Sequence, residues 1–311
     1  MRTSVVRGLA LMVVAACSSP TSPAPTAPVE THTPVDERSR DWLPIVDSHV
    51  HLAYYPVADQ LAKHGVSAAV DLAAPESALG TKYPIKVIQA GPMLTHPNGY
   101  PLDAWGSDGY GIGCDSPSCV TDAIDRLQQE GARIIKIALD DDGLDERLAR
   151  YAAIHAHQRH MLVVVHALSD ESARFAAEID ADALAHTPVE ALSEATITAW
   201  QVRVRKARPI DGMAVTRDQR PKRAVITTLA AFGGSPIAID NLRRLRAAGL
   251  VVLYGTDLGN LRVDGLSTDE IELMKSAGMT DADVRTSMTS APWSFWRFDE
   301  LGPIPGKPAE Q

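Results

Sequence analysis

Two histidines that share one face of a predicted strand are the first chemical feature of this sequence. The segment 45–52, IVDSHVHL, is apolar enough to form a buried strand, and it carries His49 and His51. Because alternate residues of a strand point the same way, both imidazoles would face one side. Imidazole nitrogen is a common ligand of zinc and other divalent transition metals. The pair predicts a metal site, although two incidental core histidines would give the same pattern.

Four further polar residues occur in or just after apolar segments that are typical of buried strands. Lys136 lies within RIIKIAL, His166 within VVVHA, His186 within ALAHTP, and Asp257 within LYGTDLG. A buried lysine without a partner is costly, whereas a strand histidine can be an ordinary core residue and an aspartate can cap a turn. All of these residues together, in or near strand ends, favour one shared metal site.

Strands and helices must alternate along the chain to bring these residues together. Helices are predicted between apolar strands at 45–52, 67–72, 85–94, 133–139, 161–168, 183–187, 209–216 and 250–255. Alternation of this kind implies a parallel sheet, and eight such units in about 250 residues fit a (β/α)8 barrel, a TIM barrel. A doubly wound sheet is the alternative, but it would carry a glycine-rich turn after the first strand. In a barrel the polar strand ends form the active-site face.

Composition narrows the class of partner. The chain has 311 residues, of which 45% are hydrophobic, and a formal net charge of −9. A nucleic-acid-binding protein usually has the opposite sign of charge, and the 5% of aromatic residues gives little material for base stacking. We therefore expect a small-molecule substrate and no nucleic acid, and the sequence does not predict an oligomeric state.

The N-terminus is predicted to be an export signal. Arg2 and Arg7 precede an apolar run that is too short to span a bilayer, and small residues lead directly to Cys17. This pattern resembles the lipobox of bacterial lipoproteins, which implies acylation of Cys17, although an ordinary secretory cleavage site is the alternative. We expect residues 1–16 to be the signal peptide, 17–40 a Pro/Ser/Thr-rich tether and 41–311 the barrel. The protein would then be a cell-envelope lipoprotein that contacts the membrane only through its lipid.

The two other cysteines lie in a glycine-rich loop segment. Cys114 and Cys119 are five residues apart, and an exported protein meets an oxidising environment. We predict a disulfide between them, with free thiols or metal ligation as the alternatives.

The order of the polar residues resembles the amidohydrolase superfamily, in particular its members with two metals bridged by a carboxylated lysine. The resemblance covers residues 44–307 through VDSHVHL, GARIIKIAL, VVVHA, LAHTP and GTD. The segment AIDRLQQEGARIIKI is most similar to the imidazolonepropionase-related and Xaa-Pro dipeptidase-like branch. That branch usually carries an accessory β-sandwich formed by both ends of the chain, which we expect here to be missing or vestigial.

The resemblance implies a role for each polar residue. His49, His51 and Asp257 would hold one divalent metal, and His166 and His186 would hold a second. Zinc is the expected metal, and Lys136 would bridge the pair as a carbamate formed with carbon dioxide. A metal-bridging hydroxide would attack the substrate, while Asp257 would act as the catalytic general base and then acid.

The substrate is less constrained by the sequence. The resemblance implies hydrolysis of an amide-type C–N bond in a dipeptide or a cyclic amide. A lactonase or phosphoesterase with the same site and a non-catalytic lipoprotein binding module are the alternatives. Candidate substrate residues are Tyr54, Tyr100, Tyr110 and Arg217, most of them in the long loop after the third strand or the basic segment 203–223; the tyrosines could instead fasten the loop, and the basic segment could be a solvated surface.

Overall fold

A computed structural model describes residues 44–140, 142–201, 221–263 and 265–301. The predicted signal peptide, the tether, Cys17 and Arg217 lie outside the described residues. Among the described helices, none is both long and apolar enough to cross a bilayer.

Ten short strands, all paired in parallel, form the centre of the described part of the chain. They are β1 Ile45–Val50, β2 Val66–Asp71, β3 Lys86–Gln89, β4 Met93–Thr95, β5 Gly111–Gly113, β6 Ile134–Ala138, β7 Leu162–His166, β8 Ala183–Leu184, β9 Ala224–Ile226 and β10 Val251–Leu253. One sheet has the order β1-β2-β3, and the other has the order β10-β9-β8-β7-β6-β4-β5.

The two sheets together make the predicted eight-position (β/α)8 barrel. Residues 90–92 alone separate β3 from β4, so these two strands occupy one position and carry the first sheet into the second. At the other edge, the Ser48 N–H donates to the Tyr254 carbonyl at 2.9 Å, and the His51 N–H donates to the Leu258 carbonyl at 2.7 Å. These bonds join β1 to the chain that follows β10. The remaining strand, β5, pairs with β4 as an addition to the eight.

Helices alternate with the strands, and several begin at a polar side chain that caps backbone N–H groups. They are α1 Ala58–Lys63, α2 Pro117–Gln129, α3 Glu146–Gln158, α4 Asp170–Glu178, α5 Glu194–Gln201, α6 Pro236–Ala247, α7 Thr268–Ser276, α8 Asp281–Met288 and α9 Ser290–Phe295. Helix α2 shows why they cover the barrel: its buried residues Val120, Ala123, Ile124 and Leu127 recur at helical spacing and give it one apolar face.

One end of the barrel is filled by apolar side chains from the end of the described chain. Phe295, Trp296 and Phe298 are buried with Val46 and other residues of the barrel interior. The Trp296 indole N–H donates to the Ser48 hydroxyl at 3.1 Å. These aromatic side chains fill the end of the barrel at which the strands begin. A polar site can therefore form only at the other end, where the strands have their carboxyl ends.

The seventh strand differs from the prediction. The predicted strand 209–216 lies outside the described residues, and the seventh position of the barrel is occupied by β9, Ala224–Ile226. Three buried residues after a basic segment give too short an apolar run to be recognised from local sequence. Within the described residues, every strand belongs to the barrel or pairs with it, and no β-sandwich accompanies it.

Candidate metal centre

The six predicted ligand residues all lie at the carboxyl end of the barrel. His49 is in β1 and His51 follows it directly, Lys136 is in β6, and His166 is the last residue of β7. His186 lies two residues beyond β8, and Asp257 lies four beyond β10. None of these residues is more than 3% exposed, so the alternation of strand and helix brings six polar groups into one buried region.

Three of the six residues form a compact donor set. The Nε2 atom of His51 lies 3.1 Å from Oδ1 of Asp257, and Nε2 of His49 lies 3.5 Å from the same oxygen. One ligand atom from each residue falls within 4.8 Å of the other two. Two imidazole nitrogens and one carboxylate oxygen are a ligand set that suits zinc and related divalent metals.

Backbone carbonyls fix which nitrogen of each imidazole faces this set. Nδ1 of His49 lies 2.8 Å from the Ala185 carbonyl, and Nδ1 of His51 lies 3.2 Å from the Ala73 carbonyl. Because a carbonyl only accepts, each Nδ1 carries the hydrogen and each neutral imidazole presents the lone pair of Nε2. The two nitrogens and the carboxylate oxygen therefore direct electron pairs to one point, as the ligands of a cation do.

The other three residues lie next to His49 and to one another. The Lys136 amine donates to Nε2 of His49 at 3.2 Å. The ring centroids of His49 and His186 are 4.5 Å apart, and those of His186 and His166 are 5.0 Å apart. Neither ring nitrogen of buried His166 has a hydrogen-bond partner among the described residues. An unsatisfied buried donor or acceptor costs about 1–3 kcal/mol, and a metal bound by His166 would remove that cost, so these residues fit a second metal.

Burial sets the protonation of this group. It lowers the pKa of His166 to about 3, with the charge of Lys136 acting in the same direction. Burial likewise holds the pKa values of His49 and His186 well below the usual range. It also lowers the pKa of the Lys136 amine to about 8, although Asp257 and Asp71 oppose this shift. These imidazoles are therefore neutral ligands, and a neutral amine is within reach near physiological pH.

Further polar residues, which sequence analysis did not select, support the ligands. The Thr256 hydroxyl donates to Asp47 at 2.6 Å, and the backbone N–H groups of Thr256 and His49 donate to the other Asp47 oxygen at 3.1 Å. The Asn260 side-chain amide lies 3.1 and 3.2 Å from the two carboxylate oxygens of Asp257. The position of Asp47, two residues before His49 on one strand, was the only sequence signal for any of these residues.

The predicted substrate tyrosines surround the same histidines. Tyr100 stacks on His166 with a centroid distance of 4.6 Å. The Trp105 ring lies 5.1 Å from that of His51, and it contacts the rings of Tyr54 and Tyr110 at 5.5 and 5.3 Å. The structure thus brings the three tyrosines together with a tryptophan at the metal centre. In the same loop, Cys114 and Cys119 are joined by a disulfide.

Several solved structures share this fold. An amidohydrolase is 16% identical over 85% of this chain and 77% of its own, with a TM-score of 0.63. A Xaa-Pro dipeptidase with methionine bound in its active site is 15% identical over 83% of this chain and 76% of its own, with a TM-score of 0.66. The ochratoxinase of A. niger is 15% identical over 81% of this chain and 71% of its own, with a TM-score of 0.64. No protein-family model and no curated protein matches the chain. At these identities the similarity establishes the fold.

Proposed function

We propose that this chain is a metal-dependent hydrolase of the amidohydrolase superfamily that cleaves an amide-type C–N bond in a small substrate. The observation that carries the proposal is the buried donor set of His49, His51 and Asp257, whose ligand atoms lie within 4.8 Å of one another beside Lys136. The shared fold with an amidohydrolase, a dipeptidase and ochratoxinase supports the reaction class.

The six candidate ligands would divide between two divalent metals, for which zinc is the proposed identity. His49, His51 and Asp257 would hold one, and His166 and His186 would hold the other. The neutral amine of Lys136 would add carbon dioxide with loss of a proton, and the resulting carbamate would help to hold the metals. When bound, the two cations would lower the pKa of a water molecule toward neutrality and polarise a carbonyl.

Asp257 is the residue placed to move protons. The Asn260 side-chain amide donates to both oxygens of Asp257, which restrains the carboxylate beside His51. It would accept the proton of the attacking water as the O–C bond forms and then deliver it to the nitrogen as the C–N bond breaks. The amine product and the carboxylic acid product balance the atoms of one amide and one water.

The proposed cellular context rests on the sequence. We infer that residues 1–16 are removed as a signal peptide and that Cys17 carries the lipid of a cell-envelope lipoprotein. The disulfide between Cys114 and Cys119 is compatible with an oxidising compartment. Palmitate labelling of the wild type and a Cys17→Ala variant would test this inference.

The function is tested by metal analysis and turnover of the purified protein. We expect about two metals per chain and hydrolysis within a panel of dipeptides and cyclic amides. Lys136→Ala should lose both metals and activity, whereas Lys275→Ala, on the exposed surface of α7, should retain them. In metal-free protein held at one concentration of dissolved carbon dioxide, metal uptake should become faster as pH rises toward about 8, because the neutral Lys136 amine becomes more abundant.

Each other result points to a different conclusion. Turnover of lactones or phosphate esters alone would reject the amide bond. A protein that binds no metal would instead be a non-catalytic binding module. Full activity in the Lys136→Ala variant would refute the carbamate.

A further inference from the structure

The loop between β4 and β5 is packed too closely to be an adaptable connection. A Cβ added to Gly99 would lie 2.0 Å from the Asp142 carbonyl oxygen, in the loop that follows β6. A Cβ added to Gly113 would lie 2.5 Å from Cα of Pro97, at the other end of the same loop. The loop therefore contacts its neighbours backbone to backbone, and its side chains hold defined positions over the barrel.

Four rings form one continuous surface here, which we call the aromatic wall: Tyr54, Tyr100, Trp105 and Tyr110. The Trp105 ring is at its centre, 5.5 Å from Tyr54, 5.3 Å from Tyr110 and 6.2 Å from Tyr100 by ring centroids. The Trp105 indole N–H also donates to the Tyr100 hydroxyl at 3.0 Å. These spacings are those of interacting aromatic pairs, so the rings support one another as a unit.

The aromatic wall begins at the proposed metal ligands. Tyr100 stacks on His166 at 4.6 Å, and Trp105 lies 5.1 Å from His51. A substrate whose scissile carbonyl reached the donor set would therefore place the neighbouring group of atoms beside these rings.

The base of the wall is apolar. Trp105 and Tyr100 pack against a buried cluster that includes Ala73, Met93 and Ala138. At the outer rim, 42% of Tyr54 is exposed, so part of this residue is open to solvent beside the candidate ligands. Aromatic faces on an alanine and methionine base gain most from burying a flat apolar group.

We infer that the aromatic wall is a specificity site that binds a flat aromatic or other bulky apolar group next to the scissile amide. Only the position of the amide rests on the proposed function. The preference for an aromatic group rests on the wall itself, so the two can fail separately.

Ligands that cannot be hydrolysed test the wall directly. We would measure the Kd of 3-phenylpropionate and of propionate for the metal-free and the zinc-reconstituted protein by calorimetry. The phenyl ligand should bind the wild type about tenfold more tightly or better. Trp105→Ala should bring the two Kd values to within about threefold, Trp105→Phe should keep most of the preference, and the exposed Tyr54→Ala should reduce it without loss of folding.

A matched control lies at the opposite end of the barrel. Leu301 is 40% exposed, close to the value for Tyr54, and it belongs to the short helix Phe298–Leu301. Leu301→Ala should keep the wild-type ratio of Kd values.

Two results would overturn the inference. The first is the absence of a phenyl preference that depends on Trp105. This would appear as equal Kd values of the two acids for the wild type, or as a ratio of Kd values in Trp105→Ala equal to that of the wild type. The second is tighter binding of choline than of its neutral analogue 3,3-dimethylbutan-1-ol, which would make the wall a cation site. A phenyl preference without turnover of any amide would support the specificity site and reject the proposed function. Amide turnover without a phenyl preference would support the proposed function and reject the specificity site.

Discussion

His166 shows what one residue reveals about the whole centre. It is 3% exposed, both of its nitrogens lack partners among the described residues, and Tyr100 covers one face of its ring. His155 is a useful contrast, because it is 6% exposed but its Nε2 lies 3.0 Å from an Asp125 oxygen. Both nitrogens of His166 are therefore available to contact a ligand. The Nε2 atom of His155 already has a partner in Asp125.

Replacement of His166 by leucine should separate these two situations. Without metal, His166→Leu should be more stable than the wild type by about 1–3 kcal/mol, because the unsatisfied nitrogens are removed. His155→Leu should be less stable than the wild type, because it leaves Asp125 without its imidazole partner. Chemical denaturation of the metal-free proteins measures both changes.

Added zinc should make the wild type more stable than His166→Leu, which reverses the order expected for the metal-free proteins. The wild type should gain stability with zinc concentration, since metal binds only the folded state, and His166→Leu should gain much less. Equal stabilisation of both proteins by zinc would show that His166 does not bind it.

At the scale of elements, the segment from β4 to α2 carries three of the four rings of the aromatic wall and then returns the chain to the barrel. Strand β5 pairs with β4, and the Cys114 N–H donates to the Thr95 carbonyl at 2.8 Å. The disulfide then links Cys114 to Cys119 in the first turn of α2. One covalent bond therefore joins the end of β5 to the first turn of α2.

Loss of this disulfide should lower stability moderately. The closed loop is short, so the chain-entropy contribution is about 2 kcal/mol. Reduction of the wild type should lower the free energy of unfolding by that amount, and a Cys114→Ala/Cys119→Ala variant should not respond to reductant. No difference between the oxidised and reduced wild type would mean that packing alone holds the segment.

At the scale of the whole molecule, the barrel closes where its first strand meets the chain after its last. Asp47 of β1 accepts hydrogen bonds from both the hydroxyl and the N–H of Thr256 at this seam. Because Asp47 is fully buried, desolvation raises the pKa of its carboxyl from 3.8 to about 7, although its hydrogen bonds oppose the shift. The folded protein therefore binds this proton more tightly than the unfolded chain does.

The sign of this shift predicts lower stability at higher pH. The contribution of Asp47 is fully present below a pH of about 4 and is lost as the pH rises through about 7. Between about pH 5 and 8 we expect metal-free wild type to lose about 2 kcal/mol of stability relative to Asp47→Asn, which imitates the protonated form, since the buried histidines act equally in both proteins. Asp59→Asn, an exposed change on α1, should keep the wild-type dependence on pH. An identical slope in wild type and Asp47→Asn would contradict the assignment.

Local sequence and the family resemblance were sufficient to predict the fold class and to select six polar residues that the structure brings into one buried region. The period of two places His49 and His51 on one face, and Lys136, His166 and Asp257, which lie in or just after apolar strands, need no distant contact to be recognised. Since parallel strands in a barrel end on one face, residues at strand ends must converge there. The disulfide likewise joins two cysteines only five positions apart.

The tertiary structure alone decided how these residues act together. The hydrogen on His49 is set by the Ala185 carbonyl, 136 positions away in the chain, and Trp105 reaches His51 only through a loop packed on the barrel. The seventh strand, Ala224–Ile226, is too short to be stable alone and exists because neighbouring strands pair with it on both sides. Such features arise from contacts between distant segments, which form only when the barrel closes, so no local pattern could have encoded them.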